Sequence, residues 1–261
     1  MNTSQLLAVY DQDQRQDGEY PGARREVTPH VVRHVDESGG QGFVLYSWVN
    51  ADNLESVIDE QIAYFEGVGQ DFEWKVFEHD SPPDLRDRLK ARGFEVGEIE
   101  AIMVLDMDTA PAALLEPVRL DVRRITDPDQ INSVLSVQSQ VWGDSHNSLK
   151  ERLVRELSAV PDFLSVYAAC DDTIPVCSAW INFPLHSRFA SLWGGSTLPA
   201  YRQRGYYSAL LAVRLQEAQQ RGARFLTVDA SPMSRPILEK FGFQRISNAY
   251  ACTWHVQQAQ A

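Results

Sequence analysis

Apolar positions along the chain alternate in short runs and recur at helical spacing in longer ones. In the second half, LDVRRI (120–125) alternates like a strand. DPDQINSVLSVQSQVWG (127–143) opens on an N-cap residue and then repeats its apolar residues with the period of a helix. SLKERLVRELSAV (148–160) predicts a second helix. SVYAACDD and VCSAWINFPL flank an Asp-rich turn and read as a hairpin, and FASLWGGSTL is a further strand. A helix is expected from about Tyr206 to Gln220, closed by Gly222. Then follow a strand RFLTVDA (224–230), a short helix near 234–241 and a terminal strand YACTWHV. The first half predicts strands near 27–35 and 42–49 and a helix near 52–67. A strand FEWKVFE (72–78), a helix near 83–92 and a strand EIEAIMVLD complete it.

The two halves end alike. HDSPPDLRDRLKARGF carries Asp80 and Gly93-Phe94; VDASPMSRPILEKFGF carries Asp229 and Gly242-Phe243, with 13 positions from aspartate to glycine in both. A shared strand–loop–helix–G-F–strand at one offset suggests a duplicated unit. The boundary falls near MDTAPAALLEPVRL, where Pro111 and Pro117 sit among small residues. This gives two domains, 1–116 and 117–261.

Composition adds limits. The start, MNTSQLLAVYDQDQ, lacks a basic segment followed by an apolar one, and no apolar run approaches a membrane span, so a cytoplasmic protein without membrane contact is expected. Cys170, Cys177 and Cys252 form no C-x-x-C pair and sit in strand-like contexts, which predicts buried free thiols rather than a disulfide or metal site. His30 and His34 can share a strand face, but no Cys or carboxylate set accompanies them, so no metal is expected. Residues 1–116 carry 9 Lys/Arg against 24 Asp/Glu, and residues 117–261 carry 15 against 12. An acidic first half argues against nucleic acid and leans toward a cationic acceptor, although a solvated acidic surface is the simpler account.

Chemistry concentrates in GGSTLPAYRQRGYYSALL (194–211). A strand that runs through a tight loop into a helix aims backbone N–H groups at one point beside the positive end of the helix dipole. Gly205 permits close approach of a phosphate, and Arg202 and Arg204 add charged donors. An ordinary strand-to-helix turn with surface arginines is the alternative. The chain has no G-x-x-x-x-G-K-[ST] loop, and GVGQDF (67–72) follows a helix and precedes a strand, the wrong order for a dinucleotide fingerprint.

TLPAYRQRGYYSALL resembles the acyl-coenzyme A loop of the GNAT acyltransferase superfamily, a strand ending V-x-P-x-Y-R followed by [RQ]-x-x-G-x-[GA] and an apolar helix. Pro199, Tyr201, Arg202 and Gly205 fall on the matching positions. The predicted order over 119–258, β-α-α-β-β-β-α-β-α-β, is that family's, and ILEKFGF is similar to its closing helix. The resemblance implies an α+β fold of two GNAT-like units, each a mixed sheet flanked by helices, with only the second complete. The first would be a degenerate copy, because NADNLES (50–56) offers no glycine loop or arginine. It implies that Gly195, Ser196 and Thr197 pair with the pantetheine arm, and that Arg202, Gln203, Arg204, Gly205, Tyr206 and Tyr207 cradle the pyrophosphate. The Gly194-Gly195 pair would form a bulge that splays this strand from RFLTVDA.

The implied activity is transfer of acetyl from acetyl-CoA to a small-molecule or peptide amine by direct attack. Three positions depart from the family. Tyr207 replaces the small residue that closes the loop, Leu238 stands where a thiolate-protonating tyrosine is frequent, and Ser231 stands at the usual asparagine. SLWGGSTL also lacks the glutamate that many members use as base. Asp229 and Ser231 are the candidate catalytic residues, with Tyr206, Tyr207 and His186 as further candidates for the vacant acid. A coenzyme A-binding regulatory module without turnover is the alternative function.

Overall fold

The structure, a computed structural model, describes residues 1–143 and 147–256. They gather into two compact units. The first comprises Met1–Met103, Asp229–Ile237 and the segment from Arg245 onward; the second comprises Val104–Val228 and Leu238–Gln244. The units therefore do not follow the expected contiguous stretches 1–116 and 117–261. The chain divides at 103/104, within a strand, and its end returns to the first unit.

The first unit opens with helix α1 (Thr3–Tyr10), which continues as a π-helical segment, Asp11–Gln16. Strands β1 (Ala23–Val27), β2 (Val31–Asp36) and β3 (Gly42–Ser47) precede helix α2 (Leu54–Val68), β4 (Phe72–Phe77), α3 (Leu85–Ala91) and β5 (Glu95–Asp106). The last strand of the chain (Gln244–Trp254; numbered β11) lies between β4 and β5, so the order is β1-β2-β3-β4-β11-β5. β3 and β4 are parallel; the other registered pairs, including β4 with β11, are antiparallel. The distal part of β5, Ala101–Leu105, is apolar throughout and buried, as expected of a strand covered on both faces.

Two features here differ from the pattern-based expectation. The strand expected near 27–35 is a hairpin, β1 and β2, broken at Thr28-Pro29-His30. The Thr28 hydroxyl accepts from the backbone N–H of His30 and Val31, a local turn that competes with the ladder. Helix α1 was not expected at all. Its Asn2/Gln5 capping box is legible in the sequence. What anchors it is Arg15, 2% exposed, which donates twice to Asp80 at 2.7 and 2.8 Å, to Asp11 at 2.8 Å and to Leu45 O at 2.9 Å, and stacks 3.8 Å over Phe77.

The second unit runs through helix α4 (Ala112–Leu115), β6 (Asp121–Ile125), α5 (Ile131–Trp142), α6 (Asn147–Ala159), β7 (Leu164–Asp171), β8 (Ile174–Asn182) and β9 (Phe189–Thr197). Then come α7 (Tyr206–Gln220), β10 (Phe225–Ala230) and α8 (Arg235–Lys240). The sheet order is β10-β9-β8-β7-β6, with β9 and β10 parallel and the rest antiparallel. Ser178 of β8 reaches Gln138 of α5, while Ala179 pairs with Tyr167, whose hydroxyl reaches Glu217 of α7. Neighbouring residues of a strand face opposite sides, so α5 and α7 cover opposite faces.

The repeated ending is repeated in geometry. Gly93 and Gly242 are both left-handed; Phe94 N–H donates to Leu89 O at 3.1 Å, and Phe243 N–H donates to Leu238 O at 3.2 Å. Leu89 and Leu238 are both fully buried. A core leucine thus fills the position where the family resemblance implies an acid. The three cysteines are buried and free, and burial pushes the Cys177 thiol up to about 11 and that of Cys252 to about 12, so neither is a thiolate at neutral pH.

Candidate functional site

The sequence positions the loop in three steps. β9 carries a bulge, a 3-10 turn at Pro199–Tyr201 redirects the chain, and α7 starts at Tyr206. Ser178 pairs with Ser196 and Trp180 with Trp193, which leaves Gly194 and Gly195 together opposite Ala179. Gly194 is required there: its φ is +62°, and a Cβ would lie 1.8 Å from Trp180 Cζ3. The registered pairing of β9 with β10 ends at Ser191–Thr227, so the bulged stretch lies beyond it.

After Arg202 the backbone alternates. Gln203 has φ +62° and Gly205 φ +87°, two left-handed residues one apart, the arrangement of an anion-binding nest. Helix α7 has Gly205 at its N-cap and no side-chain cap. Among the described residues, the backbone N–H groups of Gln203 through Ser208 have no acceptor. A run of uncommitted donors at the positive end of a 15-residue helix is an anion site by geometry and dipole together. Arg202 and Arg204 are exposed and form no ion pair among the described residues; Arg202 Nε donates to Thr197 O at 3.3 Å, and Arg204 lies 5.2 Å from the Tyr201 ring centre.

The corresponding strand-to-helix junction of the first unit uses several of its own donors. Asn50 Oδ1 accepts from the N–H of Asp52 and Asn53, Asn53 Oδ1 accepts from Asn50 N–H, and Glu55 sits in the first turn of α2. The Leu54 N–H also has an acceptor, Asn50 O, and the Glu55 carboxylate at the positive end of α2 disfavours a phosphate there.

The tyrosines of the loop separate. Tyr206 is buried and its hydroxyl donates to Asp171 at 3.0 Å; burial and that carboxylate raise its pKa. Tyr207 turns its ring toward Gly195, where a Cβ would lie 3.0 Å from Cε2, and its hydroxyl has no hydrogen-bond partner among the described residues. Burial raises its pKa, with the nearby Arg214 guanidinium acting in the opposite sense.

The other candidates are engaged or distant in kind. Asp229 and Ser231 are counted with the first unit, the loop residues with the second. Asp229 forms an ion pair with Lys75, itself 3.3 Å from Glu100. Burial opposes the Lys75 charge, yet Asp229, Glu100 and Glu73 together raise its pKa. Ser231 bonds Ser234 Oγ at 3.2 Å and accepts from Ser234 N–H at 3.3 Å, the role of a turn residue before α8. His186 is an exposed left-handed turn residue (φ +61°). His34 is buried with one nitrogen on Gly18 O at 2.9 Å, and no group of three metal-ligating side chains occurs among the described residues. No helix there is long and apolar enough to cross a membrane.

Pattern reading missed Gln138 and Arg214. Gln138, 4% exposed, donates to Gly194 O at 2.6 Å from α5. Arg214, 2% exposed, donates to Trp180 O at 3.1 Å from α7. Gln138 is a polar residue on an otherwise apolar buried face of α5, and Arg214 shares its buried face of α7 with Glu217; both are visible in the sequence, which is silent about their partners.

Residues 131–243, from α5 to the repeated Gly-Phe, match the family model described as Acetyltransferase (GNAT) family. The chain matches no curated protein. A GCN5-related N-acetyltransferase from Kribbella flavida superposes with a TM-score of 0.66 at 13% identity, over 96% of this chain and 93% of that one. A conserved protein of unknown function from Staphylococcus epidermidis ATCC 12228 gives 0.70 at 12% identity, over 96% and 99%. A tandem GNAT protein from the clavulanic acid biosynthesis pathway gives 0.56 at 12% identity, over 94% and 86%. At such identities the likeness establishes a shared fold and nothing narrower.

Proposed function

Taking as premise that residues 131–243 belong to the GNAT acetyltransferase family, we propose that this chain transfers acetyl from acetyl-CoA to an amine of a small molecule or peptide. The observation that carries the reading is the run of uncommitted N–H groups from Gln203 to Ser208, set between Arg202, Arg204 and the uncapped start of α7. Those donors would hold the pyrophosphate, and the edge of β9 at Gly195, Ser196 and Thr197 would pair with the pantetheine arm. Bound acetyl-CoA supplies an activated acyl thioester, and the acceptor nitrogen attacks it directly. The chain's own work is to align that attack, polarise the carbonyl and move protons.

For the proton given to the departing sulfur, Tyr207 is the best-supported group in the second unit. It is uncommitted, lies against Gly195, and its raised pKa keeps it protonated at physiological pH. Asp229 and Ser231 remain candidate catalytic residues of the first unit, the former ion-paired with Lys75. We read the first unit as a degenerate GNAT-like copy, because its equivalent loop turns the Asp52 and Asn53 N–H groups onto Asn50 Oδ1 and carries Glu55 at the helix start. The acidic surplus of residues 1–116 favours a cationic acceptor in a cytoplasmic setting.

One observation favours a second reading, an acyl-CoA-binding module without turnover. The frequent acid position is the buried Leu238, and both strand-end candidates are already bonded. Calorimetric titration with acetyl-CoA, followed by thiol release over a panel of amines, separates the two. One site per chain with amine-dependent release supports the enzyme; one site without release supports the module. Arg202→Ala with Gly205→Glu, which adds a carboxylate and a strained left-handed side chain, is expected to abolish binding in a folded protein. Undiminished binding in that variant refutes the loop assignment.

A further inference from the structure

The bulge leaves Gly194 and Gly195 of β9 opposite Ala179 alone, and the carbonyls in and beside it meet donors from outside the strands. The donors come from the helices on the two faces. From α5, Gln138 Nε2 donates to Gly194 O at 2.6 Å and to Ser178 Oγ at 2.9 Å. Its Oε1 accepts from Ser196 Oγ at 3.1 Å, and Ser196 Oγ accepts in turn from Trp142 Nε1 at 2.9 Å. One buried amide thus ties both strands of the bulge to one helix, with its donor and acceptor ends both used.

From α7, Arg214 Nη1 donates to Trp180 O at 3.1 Å and reaches Trp193 O at 3.4 Å, while Nε donates to Leu210 O at 2.9 Å. Its guanidinium has no carboxylate partner among the described residues. A buried, unpaired cation is costly, and the carbonyl dipoles of Trp180 and Trp193, the ladder pair that borders the bulge, are what hold it.

The peptide joining Gly194 to Gly195 is trans and planar. Holding Gly194 O against Gln138 therefore fixes the Gly195 N–H in the opposite direction, away from α5. Gly195 is also one of the residues proposed above to meet the acyl-bearing arm.

We infer that Gln138, backed by Arg214, is a positioning residue for the acyl thioester: it locks the peptide so that Gly195 N–H is presented to the thioester carbonyl oxygen. The inference rests on the acyl-CoA reading of the site. It assigns a function to a buried amide that would otherwise be core cement, and it separates two ligands that differ only by the carbonyl. Acetyl-CoA meets the oriented N–H; CoA does not.

The test uses the full chain with Gln138→Glu, nearly isosteric but bearing an acceptor against Gly194 O, and Arg214→Lys, which keeps the charge and loses the fork. Dissociation constants for acetyl-CoA and for CoA are measured by calorimetry, and the carbonyl band of bound 13C-labelled acetyl-CoA by isotope-edited infrared spectroscopy. The Gly195 amide resonance is followed in the ligand-free protein. Expected in Gln138→Glu is a loss of about tenfold for acetyl-CoA, the size of one hydrogen bond, with a change under about twofold for CoA. The carbonyl band should move back toward that of the free thioester, and the Gly195 amide should shift. Arg214→Lys should follow in the same direction with a smaller loss.

Equal losses for both ligands, or an unmoved carbonyl band, overturn the inference and leave Gln138 a packing residue. An unmoved Gly195 amide overturns it without any ligand. A wild-type protein that binds neither ligand refutes the acyl-CoA reading itself, and the Gly195 amide then still reports whether Gln138 holds the peptide.

Discussion

Gly194→Ala probes the bulge through a single methyl group. Two costs are separable. The first is the backbone: φ is +62°, and a left-handed alanine costs about 1–2 kcal/mol. The second is steric: the new Cβ would lie 1.8 Å from Cζ3 and 2.2 Å from Cη2 of Trp180, a side chain only 5% exposed, and overpacking of that kind costs about 1–3 kcal/mol. Together they come to about 2–5 kcal/mol, a large share of the roughly 5–15 kcal/mol typical of a folded protein. Trp180→Leu removes the colliding ring atoms and leaves the backbone conformation in place. In that background Gly194→Ala should cost only the backbone part, about 1–2 kcal/mol. The coupling between the two sites is then the steric part. Urea denaturation of the four proteins, compared at unchanged slope, measures it. Additivity within about 0.5 kcal/mol would refute the reasoning, since the ring would then be turning aside at no cost.

Two further outcomes follow from the same geometry. Tyr207→Phe should lower kcat by about a hundredfold, at the lower end for a lost general acid, with acetyl-CoA affinity retained. Because burial raises the Tyr207 pKa above the ordinary phenol value of 10, the rate should hold past pH 10 before falling, and that alkaline fall should vanish in the variant; an unchanged kcat would return weight to the module reading. His34 gives the opposite sign: burial, which outweighs the bond to Gly18 O, lowers its pKa below 6.5, so the unfolded chain takes the proton first. Its contribution to stability is complete above about pH 6.5 and is lost as pH falls through the lower folded value, and a His34→Gln variant should lose that acid dependence in denaturation midpoints.

Local chemistry was legible where local rules decide it. Helix α7 spans Tyr206–Gln220 as its pattern predicted, since Gly205 opens it and Gly222 follows it, and neither boundary depends on distant residues. The Gly194-Gly195 bulge was expected from the family resemblance, and the β8–β9 register contains it. The hairpin at Thr28–His30 was not, because a three-residue turn made by one threonine hydroxyl leaves the flanking alternation intact. Helix α1 owes its place to Arg15 and Asp80, far apart in sequence, and no periodic pattern announces such a pair. In the candidate site, Arg202 and Gly205, the N-cap of α7, stood out by their spacing. Gln138 did not: its position marks it as buried, but only the fold says that Gly194 O is what it meets. Strand identity in β11 was equally plain and its neighbours equally hidden, because alternation sets which side chains face inward and says nothing about the strand alongside.

That last strand carries a consequence for how the protein is made. β11 leaves the ribosome only after the elements of the second unit up to α8, yet it pairs with β4 and belongs to the unit that holds β1 to β4. The first unit therefore cannot close its sheet until Val104–Val228 of the second has been synthesised. In the interval β4 lacks the partner its Phe72–Phe77 backbone will eventually bond, an open edge exposed to neighbouring nascent chains. Birth order and folding order are decoupled in this molecule, and one unit must be made before the other can be finished.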